Sequence, residues 1–179
     1  MANYCMMKVR VSFASFILFL LLSSAMVAFA HNYSDHLHFY LLERLVGSPN
    51  ATAAVSVNVH PESPVPGFGN LGVIDNILLE GPEPSSPVIG RAQGLVAYSD
   101  LTGLSATTAM SLVFTAGEHN GSSLALFGRY LPASVSDRSI IGGSGQFRLA
   151  RGYALSQLIN VTTTTLTAEF DVYITYPGP

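Results

Sequence analysis

Residues 140–154 read Ile-Ile-Gly-Gly-Ser-Gly-Gln-Phe-Arg-Leu-Ala-Arg-Gly-Tyr-Ala, and no other stretch constrains the fold as strongly. Gly142, Gly143 and Gly145 fall close together there. Glycine takes positive φ without a steric penalty, so the cluster specifies a tight reversal between extended segments. Beyond it, Phe147, Leu149 and Tyr153 share one parity, and Arg148 and Gly152 share the other. That is the pattern of a strand with one apolar face. Arg151 interrupts the alternation, which places a bulge near Gly152.

The rest of the chain repeats this grammar of short alternating runs between turn residues. Residues 31–36 read as a loose polar lead. Residues 38–46 open the fold, with Phe39, Leu41 and Glu43 on one side. If that side is the interior, a carboxylate sits among apolar groups. Val55, Val57 and Val59 give residues 53–59 one apolar face, and residues 71–79 form a strand that buries or flanks Asp75. Residues 61–69 and 80–87 are Pro-rich loops. Residues 88–99, 106–115 and 123–129 are further strands, the last two joined through a His119-Asn120-Gly121 hairpin turn. Residues 132–139 read as a polar connection. Residues 160–176 read as one long final strand. Its apolar face is Leu166, Ala168, Phe170, Val172 and Ile174, opposed by Thr167, Glu169, Asp171, Tyr173 and Thr175. No helical periodicity of useful length follows residue 30. About eight short strands with regular turn signals specify an all-β barrel or sandwich.

Residues 1–30 are a different kind of segment. Lys8 and Arg10 precede an apolar run over residues 13–29, and Ala28-Phe29-Ala30 has the small-x-small pattern of a cleavage site. The segment reads as a secretory signal peptide rather than a signal anchor, the small-residue exit favouring cleavage, which leaves residues 31–179 as one domain. Cleavage removes Cys5, the only cysteine, so the mature domain has neither a disulfide nor thiol chemistry. It also takes two of the 8 basic residues and none of the 11 acidic ones. The mature chain is then mildly acidic and free of lysine, a poor match for nucleic acid or an anionic membrane. Asn32, Asn50, Asn120 and Asn160 each open a sequon, so N-glycosylation is expected at one or more of them.

The chemistry-bearing residues are sparse. There is no nucleophile elbow, no phosphate loop and no Cys/His metal cluster; the five histidines scatter over loops and strand starts. Neither a metal nor another cofactor is expected. Glu43 is a rim carboxylate or a pocket acid, and burial would raise its pKa toward neutral pH and suit it to proton exchange. Asp75 either works alongside it or pairs with an arginine such as Arg91. Tyr98 offers a phenol to a pocket or caps the barrel end. Arg91, Arg148 and Arg151 read as structural partners for acids.

Four blocks carry a family resemblance in consistent order: HFYLLERLVGSPNAT from His38, EGPEPSSPVIGRAQG from Glu80, AGEHNGSSLALFGR from Ala116, and GGSGQFRLARGYA from Gly142. Together they resemble the plant dirigent proteins over most of residues 38–176. The resemblance implies an eight-stranded antiparallel β-barrel similar to that of allene oxide cyclase, assembled as a homo-oligomer, trimer or dimer. It implies binding of a phenoxy radical or quinone methide, with oxidation done by a separate laccase or peroxidase. The family's first-strand His-Asp pair becomes Leu42 and Glu43, its paired aspartates become Asp75 and Asn76, and its two pocket aromatics become Val96 and Tyr98. The pinoresinol-forming branch carries an aspartate and an arginine where this chain has Tyr130 and Ser136, so the resemblance does not extend to that pair.

The expectation is a secreted, apoplastic dirigent-type barrel acting by orientation more than covalent chemistry. Glu43, Asp75 and Tyr98 would hold the phenol and move a proton. Phe39, Leu41, Val96, Leu166 and Phe170 would form the substrate wall. The products would be optically active lignan-type dimers of monolignols such as coniferyl alcohol, or cyclised quinone methides. Two alternatives stand beside it: a non-catalytic phenolic-binding or cell-wall protein, and a cyclase acting alone.

Overall fold

The computed structural model describes residues 32–62 and 67–178. The expected signal peptide therefore lies outside the described residues. Nine strands form one antiparallel sheet: β1 (Asn32–Arg44), β2 (Ala53–Val57), β3 (Leu71–Leu79), β4 (Val88–Ala97), β5 (Ala106–Phe114), β6 (Ser123–Tyr130), β7 (Ser136–Ser144), β8 (Arg151–Val161) and β9 (Thr165–Pro177). Neighbours run β1-β9-β8-β7-β6-β5-β4-β3, and β1 also pairs with β3. Eight strands thus close into the expected barrel, which removes the unpaired edges an open sheet would present. The closing seam is short: Tyr40, Leu41 and Leu42 face Leu79, Leu78 and Ile77. Where β1 and β3 diverge, β2 adds to the first half of β3, with Ala53 opposite Ile74 and Val57 opposite Leu71.

Inward positions follow the period of two. On β9, Ala168, Phe170, Val172 and Ile174 are buried, and on β1 so are Leu37, Phe39 and Leu41. Toward the β1 start the barrel is filled by rings. Phe39 stacks on Phe170 at 5.5 Å between centroids, and Phe114, Phe147 and Tyr176 continue the cluster edge to face, with Phe147 5.8 Å from Phe114 and 5.4 Å from Tyr176. Such offset contacts add to the area each ring buries.

Six expectations are corrected. The lead at residues 32–36 is strand, paired in register with Tyr173–Pro177 of β9. The polar connection and the first glycines are β7: Gly142 pairs with Ala125 and Gly143 with Leu124. The reversal is the 3-10 turn Gly145–Phe147, with Gly145 at φ 60° and Leu149 at φ 63°. Phe147 is consequently buried in the plug, whereas Leu149, expected on the same face, is 65% exposed. The bulge near Gly152 is absent, since Gly152 pairs in register with Ile140 and Ile174; the register slips instead at Ile141 and Ile159. The single final strand is a hairpin that breaks at residues 162–164, where Thr162 Oγ1 accepts from the Thr164 and Thr165 backbone N–H groups. That side-chain turn answers why four threonines interrupt a β-branched run. Finally, Val55, Val57 and Val59 are all exposed, because β2 lies at the barrel rim.

Candidate functional site

The other end of the barrel is not filled. A cavity of about 640 Å³ opens there, walled by Leu41, Val96, Met110, Leu158 and Leu166, with Phe170 at its inner end and Val46, Val55 and Val161 toward the mouth. This volume lies within the range of pockets that take small organic ligands. The vacancy follows from side-chain size and polarity. Toward the plug the inward positions are Phe, Leu and Ile; around the cavity they include Asn76, Thr108 and Ser156, all buried.

Glu43 comes in from β1 next to its apolar neighbours. Asn76 Nδ2 donates to Glu43 Oε2 at 2.8 Å, and Thr52 Oγ1 donates to Asn76 Oδ1 at 2.7 Å. Thr52 Oγ1 in turn accepts from the Arg44 backbone N–H. The carboxylate is therefore oriented by a short chain of neutral groups. Burial pushes its pKa above the ordinary Glu value, and the Asn76 bond only partly offsets this.

Tyr98 follows β4 and is fixed by two backbone bonds to the strand beside it: its N–H donates to Asn70 O, and its carbonyl accepts from Gly69 N–H. Tyr130, at the end of β6, faces the same cavity. Burial raises both phenols, and the Glu43 charge pushes each the same way; Tyr130 reaches about 12. Both phenols are thus protonated donors across the neutral range. One acid and two phenols reach the same cavity from β1, the end of β4 and the end of β6, beside apolar surface that fits an aromatic ring.

The remaining expected site residues divide. Leu41, Val96, Leu166 and Phe170 stand on the cavity wall. Phe39 does not: at 1% exposure it belongs to the plug behind Phe170. Asp75 is on the outer face, where Arg91 Nε donates to Asp75 Oδ1 at 2.9 Å and Gln93 Nε2 donates to the same oxygen. The guanidinium beside it holds its carboxyl below the usual range. Strand parity decides this, because Asp75 and Asn76 must face opposite ways and it is Asn76 that turns inward. Asn50, Asn120 and Asn160 are exposed. Asn32 opens β1, and its side chain lies outside the described residues. His36 and His38 sit on the outer face around Asp171 Oδ1, at 2.8 and 3.0 Å.

Two cavity residues escaped the sequence reading as candidates, Tyr130 and Arg138. Both flank or lie within residues read as a polar connection. The available signal was that Ser136, Arg138 and Ile140 share one parity, a strand pattern whose inward face happens to be polar.

Comparison with known proteins agrees with this architecture. The family model described as dirigent-like protein matches residues 34–175. Dirigent protein 11 of Arabidopsis thaliana is 41% identical over 141 residues, covering 78% of this chain and 72% of that one. Pterocarpan synthase 1 of Glycine max is 31% identical over 160 residues, covering 87% and 86%. A solved structure of a pterocarpan synthase dirigent protein superposes with a TM-score of 0.77 at 30% identity, covering 83% of this chain and 88% of that one. The closed barrel, the four sequence blocks and these matches together make this chain a member of the dirigent family.

Proposed function

We propose that the cavity binds a phenolic radical or quinone methide and fixes which face reacts, so that coupling or cyclisation gives one enantiomer. The observation that carries this reading is the convergence of Glu43, Tyr98 and Tyr130 on one cavity of about 640 Å³ with a largely apolar lining. Apolar walls hold the ring plane, and the polar groups set its direction. Orientation alone can account for much of a rate or selectivity effect, since it removes rotational freedom before bond formation.

In this reading Glu43 exchanges the proton. Its raised pKa keeps a larger fraction of it protonated than an exposed glutamate would have. A protonated Glu43 can donate to a quinone methide oxygen, and the carboxylate left behind can accept the proton that the attacking hydroxyl releases as it adds to the methide carbon and the ring rearomatises. Tyr98 and Tyr130 offer further hydrogen bonds to the ligand from the cavity lining. Relatives named dirigent protein and pterocarpan synthase support a stereoselective role in general. The oxidant is a separate extracellular laccase or peroxidase, and the chain works as a secreted homo-oligomer after removal of residues 1–30.

Chiral chromatography tests this directly. Coniferyl alcohol oxidised by a laccase gives a racemate alone and an enantiomeric excess in the presence of the protein; quinone methide precursors are assayed the same way. Racemic products from every phenol and quinone methide tried would sink stereocontrol. A second reading, a binding-only protein, draws on Glu43 being the single carboxylate that lines the cavity among the described residues. It predicts measurable binding of the phenol with no change in product chirality.

A further inference from the structure

Arg138 is a buried cation inside the barrel and has no role in the scheme above. It lies at the inner end of the cavity with 3% of its surface exposed. Its Nη1 donates to Thr108 Oγ1 at 3.1 Å and its Nη2 to Ser156 Oγ at 2.6 Å, both neutral hydroxyls. Its Nε is buried and has no hydrogen-bond partner among the described residues. No ion pair among the described residues includes it, although Arg44, Arg91 and Arg129 are all more exposed. What surrounds the charge otherwise is aromatic: the Phe170 ring at 5.1 Å and the Tyr130 ring at 5.8 Å. Burial lowers its pKa to about 10, which still leaves it charged at neutral pH.

An unpaired buried cation with an idle donor is expensive unless something completes it. The fold also makes room for it. Gly128 on β6 lies opposite, and a Cβ there would come within 3.1 Å of the Arg138 Cγ and 3.2 Å of its Cα. A guanidinium fork is complementary to an oxygen bearing negative charge, and its weak hydration suits a desolvated site.

We propose that Arg138 anchors an anionic oxygen of the aromatic ligand, a phenolate-type or a carboxylate oxygen, at the inner end of the cavity. The assignment rests on reading the cavity as a site for phenolics. It implies that the ligand enters with its charged oxygen first and leaves its other end beside Glu43. Glu43 and the anion anchor then hold opposite ends of one molecule, with Tyr130 beside the anchor.

Three probes separate the possibilities by calorimetric titration of the purified protein: 4-nitrophenolate, whose phenolate absorbance also reports binding, 4-methoxycinnamate, which has only a carboxylate, and neutral 4-methoxycinnamyl alcohol. Loss of a charged hydrogen bond weakens at least one of the two anions about tenfold or more in Arg138→Met while the neutral alcohol is unaffected. Arg138→Lys keeps the charge without the fork and falls between the two. Nitrophenolate selectivity identifies a phenolate-type ligand, and cinnamate selectivity a carboxylate. Equal anion affinities in wild type and Arg138→Met, with matching melting curves, would overturn the anchor. Binding of the neutral alcohol with no anion selectivity overturns the anchor alone. Failure of every aromatic to bind either protein overturns the phenolic reading of the cavity and the anchor with it.

Discussion

Glu43 is held by neutral partners, Asn76 and behind it Thr52, and this determines how it responds to pH. A carboxyl raised by burial keeps its proton in the folded state after the unfolded chain has lost it. Between the ordinary Glu value and the raised one, stability therefore falls as pH rises. Glutamine keeps the Asn76 bond and has no proton to lose. Melting curves should show Glu43→Gln gaining on the wild type as pH climbs through that window, with the gap closing below the ordinary carboxylate range. The same substitution should take the product close to racemic; an unchanged enantiomeric excess would remove Glu43 from the proton path. Asp75 offers the contrasting case. Its side chain is 51% exposed and paired with Arg91 outside the barrel, a kind of ion pair worth about 0–1 kcal/mol. Asp75→Asn should lower stability by no more than that and leave product chirality unchanged in the chromatographic assay. The sequence left these two acids equivalent, because both faces of β3 carry apolar residues: Val73 and Ile77 beside Asp75, Ile74 and Leu78 beside Asn76. Only register with a neighbouring strand separates them.

At the scale of elements, alternation was readable where the inward face is apolar and misleading where the cavity needs it polar. β9 shows the first case, with Ala168, Phe170, Val172 and Ile174 buried as their parity requires. β7 shows the second: Ser136 and Arg138 point inward, so a strand read as a polar connection. The glycine cluster was readable as a reversal, but its members do different work. A Cβ on Gly142 would meet only the end of the Arg151 side chain at 3.7 Å. On Gly143 it would come within 2.4 Å of Phe147 O and 2.7 Å of Ser123 O, both backbone atoms that cannot swing aside. Gly143→Ala should therefore cost about 1–3 kcal/mol or more, the range for overpacking. Gly142→Ala should be neutral or slightly stabilising, by up to about 1 kcal/mol, because it restricts the unfolded chain. Equilibrium denaturation of the two variants decides it. Equal losses would mean that the turn fails as a unit rather than through one crowded position.

The molecule as a whole is a barrel with unequal ends. One end is sealed by Phe39, Phe114, Phe147, Phe170 and Tyr176. The other carries the cavity, the three-residue β1–β3 seam and the five-residue edge strand β2. Local stability should follow that division, since amides open most readily where few apolar contacts cover them. Hydrogen exchange should be fastest in β2 and slowest in the strand segments around the plug, such as residues 170–174 of β9. A ligand that binds the native state adds its binding free energy to every opening that destroys the site. Because Ala53, Ala54 and Val55 line the cavity, a bound phenolic should slow exchange in β2 and along the Glu43 end of β1. Segments around the plug exchange only by openings that already break the whole barrel, so they should slow by no more than the global stabilisation. Protection confined to the plug end, with β2 unchanged by a ligand shown to bind, would place the ligand somewhere other than this cavity. Protection that begins at the rim would place the ligand in this cavity, against the inward polar residues Asn76, Thr108 and Arg138 that line it.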